Sequence, residues 1–103
     1  MRLEHYPSEK LIKEIIKIVG KHLDISKYKV FLFGSRVTDK GDERSDIDIG
    51  IEGPEPVLPK TMLEIEEEIE KLPVLYKIEI VDFQRVPLKF REVARKNIEF
   101  LTP

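Results

Sequence analysis

Residues 46–51, which read Asp-Ile-Asp-Ile-Gly-Ile, alternate strictly between isoleucine and small or acidic residues. Successive side chains of a β-strand point to opposite faces, so this pattern predicts a strand with one apolar face and one polar face. Asp46 and Asp48 share the polar face, about 6.6 Å apart along the strand. Two carboxylates this close repel each other, so packing alone does not account for them.

Apolar periodicity over the rest of the chain predicts a small α/β domain. The predicted helices cover residues 8–23, 59–72 and 87–101, with a short helix at 35–38. The predicted strands cover residues 28–33, 46–51 and 75–83. A polar turn at 38–45 and a proline-rich loop at 52–59 separate these elements. We therefore expect one domain over residues 1–103, built on a three- to four-stranded sheet.

Charge balance and residue usage exclude several classes of function. Lys and Arg total 18 against 20 Asp and Glu, so no basic field favours long-range binding of duplex nucleic acid. Cysteine is absent, which excludes disulfides and thiolate metal sites and fits a cytoplasmic protein. No segment is apolar enough to predict a membrane span. Glu and Lys are abundant, and Asn97 and Gln84 supply the side-chain amides, a composition that indicates a heat-loving source.

The pair Gly34-Ser35 follows directly after the apolar strand predicted at 28–33. Glycine lets a backbone approach a ligand closely, and free N–H groups at a helix start favour an anion. The Ser35 hydroxyl adds one more hydrogen-bond donor. A Gly-Ser pair or an Asp-x-Asp pair is a weak signal by itself. Their combination on consecutive strands indicates a phosphate cradle beside a pair of metal-binding carboxylates.

Magnesium is the cation that suits these carboxylates. Mg²⁺ prefers oxygen ligands and is commonly held by one or two carboxylates together with substrate phosphates. In two-metal phosphoryl transfer the ions lie about 3.5–4 Å apart and clamp the attacking and leaving oxygens. A third acid from a neighbouring strand would complete such a site.

The strand, the Gly-Ser pair, the spacer and the Asp-x-Asp strand together resemble the minimal nucleotidyltransferases of the DNA polymerase β-like superfamily. The segments that match are FGSR…SDIDIGIEG and, for the third strand, LYKIEIVDF. The resemblance implies a polymerase β palm-like fold with a mixed sheet and helices mainly on one face. It also implies Mg²⁺-dependent transfer of a nucleoside monophosphate, with ATP as the favoured donor, to a hydroxyl acceptor with release of pyrophosphate.

Residue roles follow from the resemblance position by position. Gly34 and Ser35 would contact the triphosphate, and Asp46 and Asp48 would bind metal. The resemblance implies two Mg²⁺ ions, which Mn²⁺ could replace.

The third carboxylate is either Glu79 or Asp82. Ile78 and Ile80 look like core residues, so strand parity puts Glu79 on the face that carries Asp48. Asp82 shares the parity of the isoleucines, and we expect it at the frayed end of the strand. We therefore favour Glu79, although the family more often has Asp at this position.

Two arginines flank the site in the sequence. Arg36 and Arg44 could neutralise phosphate charge, or they could form surface ion pairs with the acidic residues of the intervening turn. Neither His5 nor His22 has a partner at metal-ligand spacing, and we expect both histidines to be surface or partly packed residues.

The acceptor is not evident in the sequence, and two functions are open. Minimal members of the family resemble one half of a two-component system, in which a helical HEPN-type protein is the usual partner. The resemblance implies that in such toxin–antitoxin pairs the nucleotidyltransferase can act as an antitoxin that attaches AMP to a tyrosine of the toxin. We expect such a heteromeric assembly. Alternatively, the chain is a nucleotide-binding or partner-binding subunit with little or no catalytic activity. In the C-terminal segment, Phe90, Val93 and Ile98 are expected to close the core.

Overall fold

The computed structural model describes residues 8–34, 47–74 and 77–102 of the chain. Its helices are α1 (Ser8–His22), α2 (Pro59–Glu70) and α3 (Leu88–Ala94). Its strands are β1 (Lys29–Phe33), β2 (Ile47–Glu52), β3 (Ile78–Asp82) and β4 (Ile98–Phe100). The short helix predicted at 35–38 and the turn predicted at 38–45 lie outside the described residues.

The four strands form one mixed sheet in the order β3-β2-β1-β4. Strand β1 pairs antiparallel with both β2 and β4. Strands β2 and β3 pair in parallel, and α2 makes the crossover between them. Parallel neighbours need such a crossover, whereas antiparallel ones do not. The small α/β fold with a mixed sheet that the sequence predicts is confirmed.

One face of the sheet packs against α1 and α2, and the alternation in β2 explains why. Ile47, Ile49 and Ile51 are fully buried on this face. Leu11 and Ile15 of α1, with Ile65 and Ile69 of α2, complete the same core cluster. Burial of a side chain of this size stabilises a fold by roughly 1.5–3 kcal/mol relative to exposure. This cluster therefore fixes which side of β2 is turned away from the core.

The opposite face carries a cluster of phenylalanines. Phe31, Phe33 and Phe83 are buried there, and the rings of Phe31 and Phe83 meet edge to face at 4.7 Å between centroids. A Cβ on Gly50 would lie 2.3 Å from the Phe31 ring, so the missing side chain leaves the space that this ring fills. Helix α3 covers part of this face, with Ala94 packed against the cluster.

The C-terminal segment corrects the predicted helix at 87–101. Helix α3 ends at Ala94, and residues 98–100 form strand β4 instead. Ile98 pairs with Phe33 and Phe100 pairs with Phe31, so β4 satisfies the second edge of β1 and places its apolar residues on the aromatic face. A short apolar run does not distinguish a strand from the end of a helix. In this segment the backbone pairing with β1 favours the strand.

The expectation that the C-terminal residues close the core is also partly wrong. Val93 is 63% exposed and Phe90 is 43% exposed, whereas Ile98 is partly buried against the aromatic cluster.

Among the described residues, no helix has the length and hydropathy needed to cross a membrane.

Candidate functional site

Two acidic residues lie side by side on the aromatic face of the sheet. Asp48 of β2 is the register partner of Glu79 of β3. Residues paired across parallel strands point to the same face, and adjacent strands lie about 4.8 Å apart. Ile49 and its register partner Ile80 contribute to the core on the other face. The pleat therefore places both carboxylates opposite the core.

Gly34, at the end of β1, adjoins this acidic pair. Its φ angle is +87°, in a region that residues with a side chain rarely adopt. A Cβ at this position would lie 2.6 Å from the Asp48 Oδ2 atom. The backbone at Gly34 and the Asp48 carboxylate therefore approach each other as closely as a glycine permits.

Glu79 also has a basic neighbour that the sequence prediction missed. The Nζ atom of Lys77 lies 3.2 Å from Glu79 Oε1, in an ion pair whose side chains are both exposed. Lys77 directly precedes β3, two positions before Glu79, and its carbonyl accepts a hydrogen bond from the Ile47 amide. Continuing the strand's alternation back by one residue puts Lys77 on the same face as Glu79. Parity was the signal that could have found this lysine.

Asp82 lies on the other face and has a different environment. It is buried, and its register partner is Ile51. Its Oδ2 atom accepts a hydrogen bond from the Val57 amide at 2.7 Å, and its Oδ1 atom accepts one from the Gln84 amide at 2.9 Å. The expectation of a frayed strand end is wrong, because the carboxylate ties the proline-rich loop to the end of β3.

A second charged cluster joins α1 to α2. The ring of His22 contacts Glu68 through Nε2, and its Nδ1 atom lies 3.4 Å from Glu64 Oε2. Lys21 Nζ lies 3.0 Å from Glu68 Oε1. The hydrogen bonds from His22 and then Lys21 hold the pKa of Glu68 below its usual value of 4.5. His22 is thus partly buried and serves the contact between the two helices.

Of the seven predicted site residues, Gly34, Asp48 and Glu79 belong to the described part of the chain. The structure brings these three together. Ser35, Arg36, Arg44 and Asp46 lie outside the described residues. Within the described ranges, no group of three or more His, Asp or Glu side chains is arranged to hold a metal ion. The neighbouring carboxylates of Asp48 and Glu79 nevertheless fit the oxygen ligands that Mg²⁺ takes.

The chain resembles known proteins in sequence and in fold. Over 82 residues the chain is 29% identical to a protein of Haemophilus influenzae named "Probable protein adenylyltransferase MntA", covering 80% of this chain and 71% of the relative.

Two solved structures share the fold. A toxin–antitoxin complex with AMP-PNP contains a chain that matches with a TM-score of 0.71 at 19% identity, over 87% of this chain and 71% of that one. The complex of a tri-AMPylated Shewanella oneidensis HEPN toxin with its MNT antitoxin matches with a TM-score of 0.68 at 17% identity, over 90% and 70% of the two chains.

A family model matches nearly the whole chain. The model, described as "Polymerase beta, Nucleotidyltransferase", covers residues 13–102. The match includes both carboxylate-bearing strands and the glycine beside them. The chain is therefore a member of the polymerase β nucleotidyltransferase family and is an enzyme of that class.

Proposed function

We propose that this protein transfers AMP from ATP to a hydroxyl group of a partner protein and releases pyrophosphate. The observation that carries the proposal is the register pairing of Asp48 with Glu79, on the face where Gly34 meets the Asp48 carboxylate. The name of the Haemophilus influenzae relative supports adenylyl transfer as the reaction.

The proposed reaction exchanges one oxygen for another at the α-phosphorus of ATP. The acceptor oxygen forms a bond to the α-phosphorus, the bond from that phosphorus to the bridging oxygen of pyrophosphate breaks, and the acceptor proton passes to solvent. Asp48 and Glu79, together with Asp46, would hold Mg²⁺. When bound, Mg²⁺ supplies neutralisation of the triphosphate charge. Gly34 allows the chain to pass close to the phosphates, and Ser35, Arg36 and Arg44 are proposed donors to them.

The proposed acceptor lies on a helical HEPN-type protein. The solved complexes that share this fold pair an antitoxin chain with a toxin, and in one of them the HEPN toxin is AMPylated. A HEPN-type partner would present the hydroxyl to the open side of the carboxylate face. The chain and its partner would then act as a heteromeric assembly.

One observation favours a second function, that of a nucleotide-binding or partner-binding subunit with little catalysis. Lys77 Nζ lies 3.2 Å from Glu79 Oε1, so a metal ion at Glu79 would share that carboxylate with the positive charge of the lysine. Binding of nucleotide without turnover would then be the activity of this chain.

Transfer of label from α-labelled ATP to a co-expressed partner separates the two functions. We expect transfer with wild-type protein and Mg²⁺, and a loss of at least about 100-fold in Asp48→Asn, because transfer depends on charge neutralisation. Glu67→Gln, on the exposed side of α2, is the control and should retain full activity. Full activity in Asp48→Asn would refute the mechanism. Binding of a nonhydrolysable ATP analogue without any transfer by the wild type would favour the binding subunit.

A further inference from the structure

We propose that the ring of Phe90 is the surface on which the base of the bound nucleotide stacks. This inference rests on the proposed function, because it assumes that the triphosphate binds beside Asp48. It adds a base-binding residue on α3, a helix that the sequence motifs do not include.

The aromatic cluster begins one strand away from the acidic pair. Phe33 of β1 is the register partner of Asp48. Residues directly opposite each other in an antiparallel pair point to the same face. Glu79, Asp48 and Phe33 therefore form one row across three neighbouring strands. A ligand held by the two carboxylates would therefore lie beside Phe33.

Phe90 lies on top of that cluster. Its ring centroid is 6.1 Å from that of Phe33 and 6.0 Å from that of Phe83, with interplanar angles of 82° and 71°. These are edge-to-face contacts, which aromatic pairs favour. Arg91 and Arg95 form ion pairs with Glu52 at the end of β2, and they hold α3 against the sheet. The position of the Phe90 ring is thus fixed by its neighbours.

Phe90 nevertheless remains accessible as a residue. It is 43% exposed, whereas Phe31, Phe33 and Phe83 are buried. None of the seven described residues of α3 is buried. A fixed aromatic ring with this much exposed surface can accept another flat ring, and stacking on aromatic side chains is a common way to bind a nucleobase.

The chemistry of the ligand favours a base over an apolar protein side chain at this position. Only a ribose separates the α-phosphate of a nucleotide from its base. If the phosphates lie at Gly34 and Asp48, the base must lie close to them, separated from the α-phosphate by the ribose alone. Phe90 meets this condition because it packs directly on Phe33, the neighbour of Asp48. Leu88 and Val93 are more exposed on the same helix but have no aromatic ring to offer.

The experiment compares two ligands by calorimetry in the presence of Mg²⁺: a nonhydrolysable ATP analogue and inorganic tripolyphosphate, which has no base. We expect Phe90→Ala to weaken binding of the analogue about tenfold and to change tripolyphosphate binding by less than about twofold. Phe90→Tyr keeps a flat ring and should bind the analogue like wild type. Val93→Ala, at an exposed apolar position of the same helix, is the matched control. If Phe90→Ala does not fold, Phe90→Leu, which keeps the apolar bulk without the ring, takes its place.

Several outcomes would overturn the inference. Equal affinity of wild type and Phe90→Ala for the analogue would do so, as would an equal loss for both ligands. A variant that still binds the analogue but no longer captures the partner protein would assign Phe90 to a protein interface instead. If the wild type binds neither ligand, the proposed function fails together with the inference. If it binds both equally well, only the inference fails.

Discussion

The Asp48 Oδ2 atom lies 2.6 Å from the point that a Cβ of residue 34 would occupy. Gly34 also has a φ of +87°, so both the backbone angle and the neighbouring carboxylate require glycine here. The position of the Asp48 carboxylate therefore depends on the absence of a side chain at the residue that follows β1.

We expect Gly34→Ala to destabilise the fold by about 1–2 kcal/mol, since a residue with a Cβ is strained at positive φ. The new methyl group would also displace the Asp48 carboxylate, so nucleotide binding should fall by more than the loss of stability explains. Gly20→Ala in α1 is the control. Its Cβ would meet the flexible end of Ile25 at 2.8 Å, and alanine favours a helix. Denaturant titration of both variants measures the difference, and equal stability would contradict the strain at Gly34.

A second prediction concerns divalent ions. Asp48 and Glu79 are register partners, and like charges placed side by side disfavour the folded state. We expect Mg²⁺ at ten times its dissociation constant to stabilise the wild type by about 1.4 kcal/mol. Asp48→Asn should lose this response and should melt at a higher temperature than the wild type in chelator. A melting temperature that changes neither with Mg²⁺ nor with Asp48→Asn would show that the two acids do not act as one cluster.

A third prediction separates Asp82 from the site. Its carboxylate accepts hydrogen bonds from the Val57 and Gln84 amides. Asp82→Ala would leave the buried Val57 amide without its partner, and we expect a loss of about 2 kcal/mol. Asp82→Asn keeps an acceptor oxygen and should lose less. Nucleotide affinity at a temperature where both variants are folded should equal that of the wild type. A selective loss of affinity in Asp82→Asn would assign Asp82 to the site after all.

A fourth prediction concerns acid stability. The pKa of Glu68 is lowered in the fold, first by its hydrogen bond with His22 and then by Lys21. The pKa of Asp24 is lowered as well, mainly by the hydroxyl and amide of Ser26. A carboxyl with a lowered folded pKa stabilises the protein above its unfolded pKa, and this stability is lost as pH falls through the folded pKa.

The free energy of unfolding should therefore decrease as pH falls below about 4.5, the usual value for Glu68. Glu68→Gln should make this decrease shallower. Glu67→Gln, one residue further toward the N-terminus on α2, should leave the slope as in wild type. Urea titrations between neutral pH and pH 3 measure these slopes. Identical slopes in both variants would mean that the link between α1 and α2 does not respond to pH.

Strand parity explains why the sheet and the relation of Asp48 to Glu79 could be predicted. Isoleucines flank Asp48 in β2 and Glu79 in β3, and a period of two permits one assignment of faces once one side is buried. Nothing comparable marked β4. Ile98 and Phe100 follow a helix without a glycine or proline between them, and their pairing with β1 depends on contacts about 65–70 residues away.

The environments of Asp82 and Phe90 could not be predicted for a different reason. Parity correctly put Asp82 on the isoleucine face, but its burial depends on how the 52–59 loop folds back over the end of β3. The exposure of Phe90 depends on how far α3 extends over the aromatic face. Both are tertiary effects between segments distant in sequence, which local patterns do not record.

The late position of β4 in the chain has a consequence for the order of folding. The Val30 amide donates a hydrogen bond to Thr102 Oγ1, a partner 72 residues away. Contacts this distant carry the largest loop-closure entropy, so we expect them to form last. The unit from β2 through α2 to β3 closes over shorter distances and would assemble earlier. Local opening of the native protein would then release β4 first and expose the phenylalanine face to exchange with solvent. The backbone amides that pair β2 with β3, where Asp48 lies opposite Glu79, would remain protected from exchange during such openings.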